Sequence, residues 1–282
     1  MLKTFLAFVA AAAAGLIGGA GSVLAQPVVA EPRPWEINLQ PAYSPVMEMV
    51  HDFHNLLLVI IISVVVLVLG ILGYVMFRFS AKRNPVPSKT SHNTMLEVIW
   101  TAVPIMILVV IAIPSLRLLY FSAKAQDPEM TLKVTGHQWY WSYAYPDHED
   151  LTFDSIPVAD DQLQPGQPRL LAVDNPVVLP VDTTVQVLVT ADDVIHNWAV
   201  PSLGLKKDAT PGRINETWVR ITQPGTYYGM CSELCGVNHY FMPIQIEALS
   251  KEDFAAWTEK AKEQFASKDK SAPAFAGAGQ TN

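Results

Sequence analysis

Leu56 to Phe77 is an uncharged, almost wholly apolar run, and Val98 to Leu116 is a second. A helix crosses the hydrocarbon core of a bilayer with about twenty residues. Inside that core every backbone N–H and C=O must be satisfied within the structure, so such runs become helices. Pro104 and Pro114 fall within the second run; membrane helices tolerate proline where neighbouring groups satisfy the freed carbonyls. Between the runs lie Arg78, Lys82, Arg83 and Lys89 against a single acid, Glu97. Basic loops stay on the cytoplasmic side. The two runs therefore form a transmembrane hairpin whose outer ends, and all that follows Lys124, face away from the cytoplasm. Thr94 and Glu97 have the spacing of a capping box at the start of the second helix.

Residues 1–25 read as a secretory signal: Lys3, apolar residues from Phe5 to Ile17, then small residues ending Val23-Leu24-Ala25. Cleavage after Ala25 leaves Gln26 first. An uncleaved membrane helix is the alternative, disfavoured because the stretch is Ala/Gly-rich and short of spanning length. No cysteine follows it, which excludes a lipoprotein anchor. The expected divisions are a signal at 1–25, an anchor at 26–125 with helices at about 50–80 and 95–121, an exported domain at 126–250, and a C-terminal segment at 251–282.

Beyond Lys124 the pattern changes to short alternating runs broken by Pro, Gly, Asn and Asp. Met130 to Thr135, Trp139 to Tyr145, Leu170 to Val173, Thr184 to Thr190, Glu216 to Thr222, Gly225 to Met230 and Pro243 to Ala248 read as strands. Seven short strands separated by turns predict an all-β sandwich or Greek-key barrel. Ser250 with Asp253 opens an amphipathic helix to about Phe265, and the Ala/Gly/Ser/Lys-rich tail from Ala266 is expected to be disordered.

The chain's two cysteines lie in Cys231-Ser-Glu-Leu-Cys235-Gly-Val-Asn-His239-Tyr-Phe-Met242, between the last two expected strands. Thiolate and thioether sulfur with imidazole is a donor set that suits copper. Cys235, His239 and Met242 suffice for most of a single-copper site, so Cys231 is surplus; a second thiolate allows two sulfurs to bridge two coppers. A Cys231–Cys235 disulfide is the alternative in an exported chain, but it leaves His239 and Met242 without a role. One more nitrogen ligand is needed. Among seven histidines His196, in the turn after the strand ending at Thr190, is best placed.

The chain closely resembles subunit II of the haem–copper cytochrome c oxidases, in its bacterial form with a cleaved signal. The resemblance runs from Pro45 to Leu249. It rests on the hairpin, Gly136-His137-Gln138-Trp139-Tyr140-Trp141, Asp192 to Leu205, Pro211-Gly212-Arg213 and the whole Cys loop. It implies a cupredoxin-like Greek-key barrel holding the dinuclear copper centre CuA. Cys231 and Cys235 would bridge the coppers, His196 with Met242 completing one, and His239 with the backbone carbonyl of Glu233 the other. That carbonyl comes from the resemblance alone. The Glu233 side chain would ligate magnesium or manganese at the boundary with subunit I. Trp139 would be the point where the electron enters, and Glu97 the mouth of a proton-uptake path. His137 is expected to be a buried, hydrogen-bonded histidine.

The implied activity is transfer of electrons from cytochrome c through CuA to the haem of subunit I, which reduces oxygen to water and pumps protons. The implied partners are subunit I with its haems and third copper, subunit III, a basic cytochrome c and the bilayer. The implied location is the bacterial inner membrane, with both mature termini and the copper domain on the periplasmic side. From Asp127 to Ser250 there are sixteen acids against six Lys/Arg, a surface that steers a basic partner. Asp147, Glu149, Asp150, Asp174, Asp192 and Asp193 are the candidate docking acids.

Other classes fit less well. The similar copper domain of nitrous oxide reductase belongs to a soluble enzyme, and the hairpin argues against it. Subunit II of a quinol oxidase has this shape without the Cys, His and Met ligands. A copper-delivery protein has no need of the hairpin or the Trp139 motif. No Cys-x-x-Cys-His is present to attach haem, no Ser/His/Asp set or phosphate-binding glycine loop occurs, and nothing suggests nucleic acid.

Overall fold

The structure is a computed structural model and describes residues 28–125, 127–149 and 151–269. The expected signal segment with its cleavage point, Asp150, and the tail beyond residue 269 lie outside the described residues.

Helix α1 (Pro45–Arg78) starts at Ser44, whose hydroxyl accepts the Met47 N–H at 3.0 Å and donates to the Leu203 carbonyl at 2.7 Å. One buried side chain thus caps the helix and ties it to the domain. Helix α2 (Thr94–Ala123) is capped by Asn93, not Thr94; its carboxamide oxygen accepts the Leu96 N–H at 3.1 Å. The expected capping box is therefore displaced by one residue. Glu97 falls one position beyond the place from which a side chain reaches back to the cap. The helix runs on through Pro104 and Pro114. Both helices are long and apolar enough to cross a membrane, and they pack on each other.

Beyond the hairpin the chain forms an all-β sandwich followed by a helix. Strands β2 (Met130–His137), β3 (Tyr140–Tyr145), β4 (Leu151–Ser155), β6 (Val185–Ala191) and β9 (Asn215–Val219) form one sheet in the order β4-β3-β2-β6-β9. Buried and more exposed residues alternate along β2, β3, β4 and β6, as a sheet covered on one face requires. The second sheet contains β1 (Val28–Ala30), β5 (Val177–Pro180), β7 (His196–Val200), β8 (Leu205–Ala209), β10 (Gly225–Cys231) and β11 (Pro243–Leu249). Its order is β5-β11-β10-β7-β8, with β1 parallel to the first half of β10. Leu132, Val134, Trp141, Tyr143, Val187, Trp198, Tyr227, Ile244 and Ile246 fill the space between the sheets.

Eleven strands among the described residues replace the seven expected. β1, β4, β5, β7 and β8 are only three to five residues long, and β5 and β7 are buried at every position, so they carry no alternation. Leu170–Val173 is not a strand. Leu170 has φ +65°, which breaks an extended run, and only an isolated bridge from Val173 to Pro157 remains. Helix α3 (Lys251–Asp269) passes the expected end at Phe265, so residues 266–269 are helical rather than disordered. Its Trp257 and Phe265 pack on Tyr145 and Phe153, which anchors it to the first sheet.

The two spans reach the sandwich at different places. Trp218 donates its indole N–H to the Phe121 carbonyl at 2.7 Å, and Thr217 donates to the Ser122 carbonyl, holding the end of α2 on β9. Tyr43, just before α1, bonds to Ser202 and Thr222 through its backbone. Among the described glycines the tightest packing is at Gly229, where a Cβ would lie 2.0 Å from the carbonyl oxygen of Ala199. Gly229→Ala is expected to destabilise the fold by about 3 kcal/mol or more, as overpacking against rigid backbone does. Denaturant unfolding of the full chain checks this, and an unchanged midpoint would contradict it.

Candidate metal centre

The Cys loop begins where β10 ends at Cys231 and closes where β11 begins at Pro243. Antiparallel pairing of Cys231 with Trp198 and of Met230 with Ala199 brings β7 alongside. Ser232 donates its N–H to the Asn197 carbonyl at 3.1 Å. These bonds fix the first residue of β7, His196, against the loop. Gly236, with φ +118°, permits the turn in which His239 donates its N–H to the Gly236 carbonyl, folding the imidazole back over Cys235. A side chain at Gly236 would press on Gln138 and on the Trp139 ring, at 3.0 Å from each.

The donor atoms converge. Cys231 and Cys235 are free thiols with sulfurs 3.8 Å apart, far beyond the bond length of a disulfide. His196 Nδ1 lies 4.0 Å from Cys231 Sγ, and His239 Nδ1 lies 3.6 Å from Cys235 Sγ. Met242 Sδ is 4.0 Å from Cys235 Sγ, and the Glu233 carbonyl oxygen is 3.3 Å from Cys231 Sγ. His196, Cys231, Cys235 and Met242 are buried. Ligand atoms of His196 and the two cysteines lie within 4.8 Å of one another, as a metal site requires. Two thiols, two imidazoles, a thioether and a carbonyl in one pocket fit a pair of soft, copper-like ions.

Electrostatics separate the two thiols. Burial works against the Cys231 thiolate, but contacts with the His196 ring and the Asn197 backbone outweigh it and hold the thiol below its ordinary value. Burial pushes the Cys235 thiol up, and the adjacent Cys231 charge pushes it further. One sulfur thus deprotonates readily and the second resists until a cation offsets the charge.

Asp193 is the main support of His196. Its carboxylate accepts from His196 Nε2 at 2.8 Å, from the Gln138 N–H at 2.7 Å and from its neighbour Val194 at 2.6 Å. Burial opposes its ionisation, yet these three bonds hold the carboxyl below its usual range. With Nε2 engaged, Nδ1 is the nitrogen presented to Cys231. Gly136 keeps the ring's other side open, since a Cβ there would stand 2.9 Å from His196 Cδ2.

Trp139 is half-buried and donates its indole N–H to the Cys235 carbonyl at 3.1 Å. Gln138 donates to the same oxygen at 2.7 Å. In the sequence Gln138 stands out only as part of a motif, although it joins the Cys loop to Asp193; an amide beside the tryptophan expected to admit the electron is the available signal. The Glu233 carboxylate belongs to an exposed residue while its carbonyl faces inward. His137 is half-buried, bonded to Ser142 at 3.0 Å and stacked on Tyr140. Glu97 lies in the first turn of α2, with about 40 Å of helix between it and Ala123.

The five candidate docking acids among the described residues do not form one cluster. Asp192 is 73% exposed, 3.6 Å from His137, and bonded through its N–H to Gly136, so it flanks the Trp139 motif. The Asp193 carboxylate is turned toward His196. Asp147 accepts the Thr131 N–H, and Glu149 pairs with Lys262 at 2.8 Å, both at the far end of β3. Asp174 accepts the Ile156 N–H at 2.7 Å.

Comparison with known proteins finds similarity along both the hairpin and the sandwich. The family model for cytochrome c oxidase subunit II, periplasmic domain, matches residues 130–249, and that for its transmembrane domain matches residues 32–118. The chain is 56% identical over 242 residues to the probable cytochrome c oxidase subunit 2 of Rickettsia felis, covering 86% of this chain and 75% of that protein. It is 48% identical over 230 residues to cytochrome c oxidase subunit 2 of Phytophthora megasperma, covering 80% and 86%. The crystal structure of the periplasmic domain of subunit II of cytochrome oxidase (CoxB) of Bradyrhizobium japonicum is similar at 51% identity and TM-score 0.47, covering 50% of this chain and 98% of that one.

Loss of a carboxylate behind a ligating histidine costs about 10–100-fold in metal affinity. Asp193→Ala is expected to weaken copper binding by that factor in a chelator competition, with Asp193→Asn milder because its carbonyl still accepts from His196. Equal affinity for Asp193→Ala and the parent would contradict the positioning role.

Proposed function

Because the chain belongs to the cytochrome c oxidase subunit II family, we propose that it receives electrons from a basic cytochrome c at a dinuclear copper centre and delivers them to the haem of subunit I. There oxygen is reduced to water with proton pumping. The observation that carries this reading is the convergence of Cys231, Cys235, His196, His239, Met242 and the Glu233 carbonyl on one pocket at an end of the sandwich. A copper pair held there supplies a one-electron carrier whose charge is spread over both metals.

The chain's own residues do the rest. Cys231 and Cys235 would be the shared ligands, with His196, Met242, His239 and the Glu233 carbonyl completing the donor set. Burial and the bonds from Asp193 and Gln138 hold these donors in place, so the cage has little freedom to rearrange when charge changes. Trp139 is the entrance for the electron, its indole bonded directly to the backbone of a ligand. Asp192, the exposed acid beside that motif, leads the docking face, with the acidic domain supplying long-range attraction to a basic donor. Asp147, Glu149, Asp150 and Asp174 contribute to that field.

The outward carboxylate of Glu233 offers the hard oxygen that magnesium or manganese prefers, shared with subunit I. Glu97, at the opposite end of the hairpin, opens a proton-uptake path. The chain is a membrane protein with a two-span N-terminal anchor. We place it in a bacterial inner membrane beside subunits I and III, with both mature termini and the copper domain periplasmic. It divides into a signal to residue 25, an anchor to 125, a copper domain to 250 and a C-terminal helix with its tail.

Electron paramagnetic resonance of the copper-loaded chain is expected to show hyperfine structure from one electron shared by two copper nuclei. A single-copper pattern, or an unchanged spectrum in Cys235→Ser, would overturn the reading. Kinetics on the assembled oxidase separate the other roles. Trp139→Gln is expected to slow electron transfer from cytochrome c about tenfold or more, about 1.4 kcal/mol on the barrier, while leaving the donor's affinity near the parent's. Glu97→Ala is expected to slow only the turnover steps that take up protons. Parallel losses of affinity and rate at Trp139, or an effect of Glu97→Ala on electron input, would count against these assignments.

A further inference from the structure

Trp35 is 96% exposed and Ile37 fully exposed, although both stand in the structured segment that precedes the first span. The segment is a loop with two fixed feet. Ala30, at the end of β1, pairs with Tyr227, and Tyr43 packs its ring on Tyr227 at 5.4 Å. Between them the chain leaves the sandwich and returns. Its tip is a tight turn: the Glu36 N–H bonds to the Arg33 carbonyl at 3.3 Å, and the Glu36 carboxylate accepts the Arg33 N–H. Trp35 sits in that turn with φ +62°, a backbone conformation that few bulky residues adopt. The turn holds Trp35 at the tip, away from the core.

The return limb is tied to α1. The Gln40 carbonyl bonds to the ring of His51 at 2.8 Å. His51 is six residues beyond the start of α1, about 9 Å down the helix, and Leu56, where the uncharged run begins, is about 7.5 Å further. Each headgroup layer of a bilayer is about 5–8 Å thick. Gln40 is therefore held at the outer edge of the headgroup layer. The five residues from Gln40 back to Trp35 can span up to about 17 Å, more than enough to carry the tip to the border of the hydrocarbon.

We propose that the loop from Glu31 to Gln40 is an interfacial anchor, inserting Trp35 and Ile37 at the boundary between lipid headgroups and acyl chains on the outer side of the membrane beside α1. Tryptophan is enriched at that depth because its ring is apolar and its N–H is polar. Charge does not drive the contact: Arg33 is outnumbered by Glu31 and Glu36, so the loop has no attraction for anionic lipid and its apolar side chains must supply the binding. Together with the caps at Ser44 and Trp218, the anchor would fix the sandwich at a set height above the bilayer.

The test places the photoreactive p-benzoylphenylalanine at Ile37 in the assembled oxidase in its native membrane, with the same group at Leu67, exposed in the middle of the apolar run of α1, as a control. Irradiation is expected to give a mass gain of one phospholipid at both positions, the adduct being shortened by phospholipase, and the yield at Ile37 is expected to be unchanged by high salt. A protein-sized adduct at Ile37 would show that another subunit covers the loop and would overturn the proposal. A lipid adduct at Leu67 with none at Ile37 would leave the tip in water and overturn it equally. Absence of both a lipid and a protein adduct at Leu67 would instead overturn the spanning of α1 on which the proposal rests.

Discussion

The two-residue pairing of β10 with β7 is the contact on which the candidate metal centre depends. Met230 opposite Ala199 and Cys231 opposite Trp198 set the register in which His196 meets the Cys loop. A slip of one residue would turn every side chain on one strand to the other face, removing either the thiol or its imidazole partner from the pocket. Gly229 admits the Ala199 carbonyl at a distance no side chain could tolerate. Tight backbone packing there is thus part of the ligand geometry, though neither residue touches a donor atom.

The same economy governs attachment of the anchor. Both spans are tied to the sandwich by side chains that also satisfy helix-end groups: Ser44 at the start of α1, and Trp218 and Thr217 at the carbonyls of Phe121 and Ser122 near the end of α2. Helix termini leave unpaired backbone groups. Using domain side chains to meet that need joins anchor and sandwich through short bonds, and so restricts the orientations the metal pocket can take above the bilayer.

Legibility in the sequence followed how local each signal was. The spans were plain because length and lack of charge suffice to specify them. Six of the seven expected strands match observed ones within two or three residues, because alternation along a half-covered sheet is visible in a short window. β7 was missed as a strand because all five of its residues are buried. His196 was accordingly expected in a turn, yet it begins a strand. The thiols, imidazoles and thioether could be named from donor chemistry, and the structure brings them together. What donor chemistry could not supply was the layer behind them. Asp193 reaches His196 across only three positions, but Gln138 joins Asp193 and the Cys235 carbonyl through bonds between residues more than fifty positions apart, which no local pattern encodes.

Asp193 illustrates how one composition-level argument can conceal two roles. An excess of sixteen acids over six bases makes every carboxylate in the domain a candidate for attracting a basic donor. Asp192 and Asp193 are adjacent in sequence, but their carboxylates face different ways. Asp192 is largely open to solvent, whereas Asp193 already accepts from His196, Gln138 and Val194. A carboxylate that turned outward to meet a partner would have to abandon three bonds, including the one that orients a metal ligand. The geometry therefore commits Asp193 to His196 and leaves Asp192 free, so that a donor docking as proposed would not disturb the ring that Asp193 holds.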